Sequence, residues 1–485
     1  MSKWSTYQLD VIDFIKNDTR NLTVNAVPGS GKTTTIVEAT NHINLSTNKT
    51  GYIVFNSKNA KEAKAKLNPL VAASTIHSLG MSFLRNSVGG KLPKADEDKD
   101  WNLAVARVGN DSDEKRDLVA SLVMATSLAK AYLVESPEDM QLVYDRHEDQ
   151  INIPGSYSED EFTDLVLKLM QDSIYSWRKA KKFNFDDMIW LPVKLNLVKR
   201  IFDTLLIDES QDLSFARIMM SISAAHRIGA VGDPRQACYS FAGAAPGAFE
   251  VVRDRVNGVE LPLSICYRCD RNIIAEADKI IPGIEPAENA GEGVISNANI
   301  EQLERDAKAG EFILSRFNAP LLGMCMRFIR SGKPANIQGR DVSKGLLALV
   351  KSFSKEKKST SVSLFQDYVN EWENKKLAEY SKKNKKPDFI TDKADCLRYI
   401  ADGCSSIDDI KTKLNALFID TSEDDRIMLS TIHRSKGLEK NKVWLMTKGL
   451  SVKSQEEKNL QYIAITRAKH ELSYVSGDVK TSDDI

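Results

Sequence analysis

The sequence is poor in cysteine, has no excess of charge of either sign, and contains no long apolar run. Six cysteines in 485 residues are too few for a disulfide scaffold and favour reduced thiols. Basic and acidic residues number 67 each, so the net charge indicates no polyanion partner, and any nucleic-acid contact must come from a local groove. No apolar run approaches the roughly 18 residues of a membrane span, and the N-terminus does not resemble a cleavable signal. We therefore expect a soluble, most simply cytoplasmic protein with no membrane partner.

Two of the six cysteines, Cys266 and Cys269, form a C-x-x-C pair. Such a pair is compatible with a redox or metal role, but no second pair stands at the spacing of a zinc site. Two half-buried thiols near the start of a helix are the interpretation that the sequence favours.

A glycine-rich segment, AVPGSGKTTT, lies between a β-like run and a helix-forming run. Its glycines allow backbone N–H groups to point at phosphate oxygens, the lysine supplies a charge for the β and γ phosphates, and the following threonine supplies a hydroxyl for Mg2+. A glycine-rich turn without a ligand could have the same pattern, which also fails to separate a kinase, a switch GTPase and a motor. The residues predicted to bind nucleotide here are Pro28, Gly29, Ser30, Gly31, Lys32, Thr33 and Thr34.

An acidic pair in the segment LLIDESQD ends a second apolar run. Beside a phosphate loop, one carboxylate can hold the Mg2+ shell while the other activates the attacking water. We assign the metal to Asp208, together with Thr33, and the general base to Glu209. A strand-end acidic pair without catalytic duty is the alternative.

A third segment, VGDPRQACYSFAGA, also follows an apolar run. The amide of Gln236 could sense the γ phosphate, and bases can stack on aromatics such as Tyr239 and Phe241. Aromatics two residues apart after a strand are also common in cores, so this segment alone leaves both interpretations open.

Short apolar segments of four to six residues alternate with longer amphipathic segments along the chain. This alternation predicts an α/β fold with parallel sheets. The predicted strands are 52–55, 204–207, 228–231, 312–314, 427–430 and 443–446. A charged, helix-forming sequence that includes KADEDKD indicates a helical insertion at 85–182. A second helical stretch covers 341–425. The latter contains KKNKK at 382–386, which is typical of a solvated face and less often of a nucleic-acid patch.

Taken in order, these segments resemble the UvrD/Rep-like family of superfamily 1 DNA helicases. Further matching segments extend over nearly the whole chain. In chain order they are TYQLDVIDFI, FNSKNAKEAKAKL, STIHSLG, FNFDDMI, CYRCDRNI, ILSRFNAPL, IMLSTIHRSKGLE and QYIAITRAKHEL. The last two of these segments are the most specific matches.

The resemblance implies two RecA-like motor domains of the P-loop NTPase type, each with a mainly helical insertion, and ATP in the cleft between them. The first motor domain would comprise 1–84 and 183–260, with its insertion at 85–182. The second would comprise 261–340 and 426–485, with a short insertion at 341–425.

The resemblance also implies residue roles. ATP would be contacted outside the phosphate loop by Gln8, Tyr267, Arg268, Glu439 and Arg467. The catalytic residues would be Lys32, Glu209, Gln236, Arg268 and Arg467, of which the last three couple the γ phosphate to cleft closure. The predicted DNA contacts are Phe55, Lys58, Thr75, His77, Tyr239, Phe241, Thr431 and His433.

The expected function is an ATP- and Mg2+-dependent DNA helicase, able to act as a monomer, that moves 3′ to 5′ on single-stranded DNA and opens tailed or forked duplexes. Ala242 replaces an arginine that many family members have, so one backbone-contacting charge is missing. The second insertion is short, which puts partner-regulated or dimer-activated unwinding in doubt. Because only residues 471–485 follow His470, we expect no appended nuclease. A translocase that strips proteins from single strands, an ATP-switched binding protein and an RNA substrate remain alternatives.

Overall fold

The computed structural model describes residues 4–54, 57–148, 150–357, 359–381, 388–417 and 425–479. The chain divides into two compact units, Met1–Ile265 and Cys266–Ile485. The sequence-based limits of motor domains and insertions are finer than this division and stay predictions.

The first unit contains a six-stranded sheet in which all neighbouring strands are parallel. Its strand order is β3-β2-β4-β5-β1-β6. The strands are β1 (Leu22–Ala26), β2 (Thr50–Val54), β3 (Ala72–Thr75), β4 (Phe202–Ile207), β5 (Ala225–Gly232) and β6 (Val259–Leu263). The runs β2 and β4 are almost wholly buried, because helices cover both faces of a parallel sheet.

Eleven helices are described in this unit. They are α1 (Thr6–Asn17), α2 (Lys32–Thr40), α3 (Ser57–Lys66), α4 (Ile76–Ser87), α5 (Lys99–Val108), α6 (Asp113–Tyr132), α7 (Pro137–His147), α8 (Glu159–Ala180), α9 (Phe185–Lys194), α10 (Phe215–Ser223) and α11 (Ala248–Val256). Three consecutive helices begin at serine caps, Ser112, Ser136 and Ser158, whose hydroxyls accept a backbone N–H of the first turn. The helices α5 to α8 pack around their own apolar core, which includes Leu118, Val143 and Phe162.

Four charged side chains meet inside this helical region and form what we call the ion ring: Lys99, Asp100, Lys130 and Asp187. Each is at most 4% exposed. Lys130 Nζ lies 2.6 Å from Asp100 Oδ2 and 2.9 Å from Asp187 Oδ1, and Lys99 also pairs with both carboxylates. The ring joins α5 and α6 to α9, because its members come from all three helices.

The second unit contains another six-stranded sheet with parallel neighbours throughout, in the order β11-β12-β10-β13-β14-β9. A short pair, β7 (Ile265–Cys266) and β8 (Glu285–Pro286), precedes it. The sheet strands are β9 (Val294–Asn299), β10 (Phe312–Ser315), β11 (Ala335–Ile337), β12 (Ile427–Thr431), β13 (Lys440–Met446) and β14 (Ala468–Ser476). The helices are α12 (Arg271–Ile280), α13 (Ile300–Asp306), α14 (Asn318–Arg330), α15 (Arg340–Lys357), α16 (Val362–Ser381), α17 (Asp388–Ala401), α18 (Ile407–Leu417) and α19 (Gln455–Ile465).

The predicted α/β class with parallel sheets is confirmed, and each of the six predicted runs coincides with an observed strand over its described residues. The KKNKK run at 382–386 lies outside the described residues. No single described helix is long and apolar enough to cross a membrane; one bent pair, α6 with α7, meets that criterion by length and composition alone.

Candidate nucleotide and nucleic-acid site

The phosphate loop connects β1 to α2 in the first unit. Gly29 and Gly31 have φ values of 68° and 77°, in the left-handed region that glycine adopts without strain. Gly31 caps α2, so the first N–H groups of this helix face the loop. The hydroxyl of Ser30 is buried and has no hydrogen-bond partner among the described residues. The loop therefore offers unused donors where a phosphate chain would lie.

Gln8 is held beside this loop by the start of α1. Its Oε1 accepts the backbone N–H of Ser5 at 3.0 Å, which completes a capping box. Its Nε2 donates to the carbonyl of Ser30 at 3.4 Å and would lie 3.0 Å from a Cβ added at Gly31. The helix cap thus fixes the predicted adenine-contacting amide against the phosphate loop.

The acidic pair and the phosphate loop converge, because β4 and β1 end at the same edge of the sheet. Lys32 Nζ lies 3.5 Å from Glu209 Oε1, and Thr33 Oγ1 lies 3.5 Å from Asp208 Oδ2. The hydroxyl of Tyr52 donates to Asp208 Oδ2 at 2.8 Å. Burial raises the pKa of Asp208 and the charge of Glu209 raises it further, while Lys32 opposes the shift. A cation at this carboxylate would relieve the cost of its buried charge.

Glu209 is oriented by Gln211. Glu209 has a φ of 54°, a left-handed conformation that is uncommon for residues other than glycine. Gln211 Nε2 donates to Glu209 Oε2 at 2.6 Å, and Gln211 Oε1 accepts the backbone N–H of Asp233 at 3.0 Å. A Cβ at Gly232 would lie 2.6 Å from that oxygen. The end of β5 therefore fixes the predicted general base through a single glutamine.

Gln236 reaches the same edge of the sheet through Asp233. Gln236 Nε2 donates to Asp233 Oδ2 at 2.6 Å. Asp233 is completely buried, which raises its pKa, and Lys32 opposes that shift by attraction. The third predicted segment thus lies within electrostatic range of the phosphate-loop lysine.

In the second unit, the structure brings Arg268, Glu439 and Lys469 together. Arg268 forms an ion pair with Glu439, whose other oxygen lies 2.9 Å from Lys469 Nζ. Burial alone would raise the pKa of Glu439, but Arg268 and Lys469 lower it, so the group stays a carboxylate. Tyr267, predicted to stack on adenine, is half exposed.

Arg467 is nearly completely buried, with 1% of its surface exposed. Its Nε donates to the carbonyl of Ile463 at 2.9 Å, and its Nη1 donates to the carbonyl of Leu438 at 3.1 Å. Its Nη2 donates to the hydroxyl of Thr466 at 3.2 Å. The residue predicted to reach the γ phosphate thus ties the end of α19 to the segment that carries Glu439, a structural role that the sequence did not indicate.

The predicted DNA-contacting residues of the first unit whose side chains the structure describes lie on two segments. Thr75 caps α4, and its hydroxyl accepts the N–H of Ser78. The ring of His77 packs edge-on against Phe185 at 5.8 Å, and burial followed by repulsion from Arg217 lowers its pKa to about 4. His77 is therefore neutral at pH 7. It also lines a cavity of about 320 Å3, to which the next segment contributes.

The aromatic pair of the third segment packs against itself. The rings of Tyr239 and Phe241 lie 5.9 Å apart in an edge-on arrangement, and Phe241 is 47% exposed. Phe241 lines the same cavity as His77. Phe241 thus combines partial exposure with a place in the cavity lining, and its role as a base platform stays a prediction.

In the second unit, Thr431 ends β12 with a buried side chain, and His433 follows in the next turn. Burial first, then repulsion from Arg316 and Arg434, lowers the pKa of His433 to about 4. Two further predicted DNA contacts, Phe55 and the side chain of Lys58, lie outside the described residues.

The residues present fit ATP and Mg2+. Mg2+ prefers oxygen ligands and is commonly bound by one or two carboxylates together with substrate phosphates. Asp208 and Thr33 supply such oxygens beside a glycine cradle and Lys32. Among the described residues no cluster of three or more metal-ligating side chains occurs, so the donor set suits a metal that the nucleotide itself helps to hold.

Sequence reasoning missed several residues of this arrangement: Tyr52, Gln211, Asp233, Thr466 and Lys469. Gln211 belongs to the acidic segment itself, so its polar side chain was a usable signal. Tyr52 is recognisable only from strand order, because it reaches Asp208 from the neighbouring strand β2.

Comparison with known proteins identifies the family. Residues 8–257 match the model of the UvrD/REP helicase N-terminal domain, and residues 133–477 match the UvrD-like helicase C-terminal domain. Two curated relatives are named ATP-dependent DNA helicase Rep, both from Buchnera aphidicola: 25% identity over 292 residues (subspecies Acyrthosiphon pisum, strain APS) and 26% over 283 residues (subspecies Schizaphis graminum, strain Sg). Each alignment covers 52% of this chain and 41% of the relative, so the chain matches about two fifths of the relatives' length.

Domains of this family are RecA-like P-loop motor domains, so the predicted fold class is confirmed. Both family models match more than half of the chain, and the phosphate loop and acidic pair lie within the first of them. The chain belongs to the UvrD-like helicase family.

Proposed function

We propose that this protein is an ATP-dependent DNA helicase that hydrolyses ATP to move along single-stranded DNA, 3′ to 5′, and to separate strands. One observation carries the proposal: Lys32, Thr33, Asp208 and Glu209 converge at the carboxyl edge of one parallel sheet. A lysine for phosphates, a hydroxyl and carboxylate for Mg2+, and a second carboxylate for water are the parts that phosphoryl transfer needs.

Each residue has a separate task in this proposal. Lys32 and the helix N-terminus of α2 hold the phosphates, while Thr33 and Asp208 hold Mg2+, which neutralises phosphate charge when bound. Glu209, fixed by Gln211, accepts the proton of the attacking water. Because Lys32 and Glu209 pair at 3.5 Å in the structure, ATP binding is expected to draw the lysine to phosphate and release the carboxylate for its task.

The second unit supplies the remaining nucleotide contacts in the proposal, through Tyr267, Arg268, Glu439 and Arg467. The ion pair between Arg268 and Glu439 supports it, since the pair brings a cation and the predicted ribose-binding carboxylate to one place. Single-stranded DNA would be held by the predicted contacts on both units. His77 and His433 would act there as neutral hydrogen-bond partners, because the pKa of each is about 4.

DNA-stimulated ATP turnover tests the proposal. We expect turnover that requires Mg2+ and rises when single-stranded DNA is added, and we expect Lys32→Ala to remove it. Glu209→Gln should bind ATP and DNA but turn over ATP at least about a hundredfold more slowly, in keeping with loss of a general base. Turnover that is indifferent to DNA would contradict a motor and would favour the ATP-switched binding protein.

The compact second helical stretch, α15 to α18, favours one alternative within the same class, a translocase that displaces bound proteins with little unwinding. The two functions share the ATP site and differ in what the moving chain displaces. Protein displacement without duplex opening would support the translocase, and equal stimulation by RNA would extend the substrate to both nucleic acids.

A further inference from the structure

The loop that carries Tyr267 and Arg268 is bracketed by two cysteines. Cys266 ends β7, and Cys269 lies just before α12, so both predicted ATP-contacting residues lie between the two cysteines in the sequence. Both cysteines are buried, with 0% and 2% of their surface exposed.

The loop is fixed to the rest of the second unit at several points. Cys269 Sγ donates to the carbonyl of Thr466 at 3.7 Å, and Arg268 Nη1 donates to the same carbonyl at 3.4 Å. The backbone N–H of Asp270 donates to the carbonyl of Lys469 at 2.9 Å. Movement of Cys269 would therefore change the contacts of Arg268 and of Thr466, which directly precedes Arg467.

The two thiols face each other. The side chains of Cys266 and Cys269 are in contact, and the single proton of the Cys269 thiol is shared between the Cys266 sulfur and the carbonyl of Thr466. The Cys266 sulfur also accepts the backbone N–H groups of Cys269 and Arg268. These donors, with the nearby guanidinium of Arg268, lower the pKa of Cys266 to about 6, while the same contact raises that of Cys269. These contacts favour the thiolate form of Cys266, and thiolate is the reactive form of cysteine.

We propose that Cys266 and Cys269 are an oxidative modification site, in which a hydroperoxide converts the dithiol to an intramolecular disulfide. The Cys266 thiolate attacks one peroxide oxygen and breaks the O–O bond, which gives a sulfenic acid and hydroxide. The Cys269 sulfur then attacks the sulfenic sulfur, and its proton leaves with the displaced hydroxide as water. Two thiols and one hydrogen peroxide yield one disulfide and two waters.

Burial selects the oxidant. A water-sized hydroperoxide can reach a sulfur after a small local opening, whereas a low-molecular-weight disulfide such as oxidised glutathione requires the loop to unfold. Hydrogen peroxide is therefore expected to oxidise the pair faster than oxidised glutathione does.

Oxidation has a consequence that rests on the proposed function. Two sulfurs in hydrogen-bond contact must approach to about 2.05 Å in a disulfide, which draws Cys269 away from the carbonyl of Thr466. The closed ring contains Tyr267 and Arg268, so their side chains are displaced from the positions that support nucleotide binding. The oxidised chain should lose ATP turnover, and a dithiol reductant should restore it.

The test uses the full chain, reduced and then treated with hydrogen peroxide. We expect a loss of mass equal to two hydrogen atoms and a peptide that links Cys266 to Cys269. Cys269→Ser, whose hydroxyl can still donate to the carbonyl of Thr466, should form no such link and should gain oxygen at Cys266. Cys325→Ser, in which a buried cysteine of α14 is replaced, should form the link as the native chain does.

The outcomes separate this proposal from the proposed function, because mass is read independently of ATP. If Cys404, which is more exposed, is oxidised while the folded chain forms no link between Cys266 and Cys269, the modification site is wrong. If the link forms and turnover is unchanged, its effect on the ATP site is wrong. A reduced chain with no ATP turnover would contradict the proposed function and leave the mass result intact.

Discussion

Removing one lysine of the ion ring should destabilise the first unit strongly. Lys130 is 1% exposed, and its ammonium group lies 2.6 Å from Asp100 and 2.9 Å from Asp187. In Lys130→Met the neighbouring Lys99 remains as the only ring cation for two buried carboxylates. Breaking a buried ion pair on one side costs about 3–5 kcal/mol, because it leaves buried charge uncompensated, here one net negative charge in the ion ring.

That cost is a large part of the total stability of a domain, about 5–15 kcal/mol. In a unit of this size each kcal/mol shifts the melting temperature by about 2–4 °C, so the loss corresponds to roughly 6–20 °C. Scanning calorimetry of the full chain measures the shift. The indole of Trp190 provides a local probe, since Lys130 Nζ lies 5.4 Å from its ring.

The matched control is Lys168→Met. Lys168 pairs with Asp164 one helical turn away on α8, but both side chains are about half exposed or more. Such pairs contribute about 0.3–0.5 kcal/mol, so the melting temperature should fall by no more than about 2 °C. Adding Asp100→Asn to Lys130→Met restores charge balance and should recover part of the loss. A shift for Lys130→Met no larger than the control's would refute the reasoning.

Three further predictions concern the candidate site. Gly232→Ala should lower the rate of ATP turnover with little change in ATP affinity, because the new Cβ meets Gln211, whereas Gly229→Ala meets only the end of a leucine side chain and should keep normal turnover. Arg467→Ala should lower ATP turnover by about 10^3-fold or more if the arginine reaches the γ phosphate. It should also lower the melting temperature, because three hydrogen-bond acceptors lose their donor. Equal losses of ATP binding and of turnover would contradict the contact with the γ phosphate. In the folded chain the pKa of His433 is about 4, against an ordinary value of 6.5, so between these two pH values the unfolded chain binds more protons than the folded chain. The free energy of unfolding should therefore decrease as the pH falls through this range. His433→Gln should make that decrease smaller, as measured by denaturation at several pH values.

The strands and the edge at which the site forms could be predicted from the sequence for a physical reason. Parallel strands are buried on both faces, so runs such as 204–207 appear as continuous apolar segments that end abruptly in polar residues. The ends of such strands meet at one edge of a sheet, which is why Lys32 and Glu209, 177 residues apart, could be assigned to one site.

Contacts that depend on tertiary packing could not be predicted. The KADEDKD segment is highly charged and would be expected on the surface. Lys99 and Asp100 at its end are nevertheless buried, because Lys130 and Asp187, which are distant in the sequence, complete the ion ring. Arg467 has the motif position of a nucleotide contact, but only the folded helix end reveals the carbonyls to which it donates. The mutual contact of Cys266 and Cys269 likewise depends on the turn between them.

Strand displacement tests the central claim most directly. The substrates are duplexes with a single-stranded tail at either the 3′ or the 5′ end, with Lys32→Ala as the inactive control. The account predicts ATP-dependent displacement from the 3′-tailed duplex, little from the 5′-tailed one, and none with the variant. Absence of displacement from either duplex, with ATP turnover still stimulated by single strands, would contradict the helicase and leave a translocase; displacement that persists in Lys32→Ala would contradict the ATP site itself.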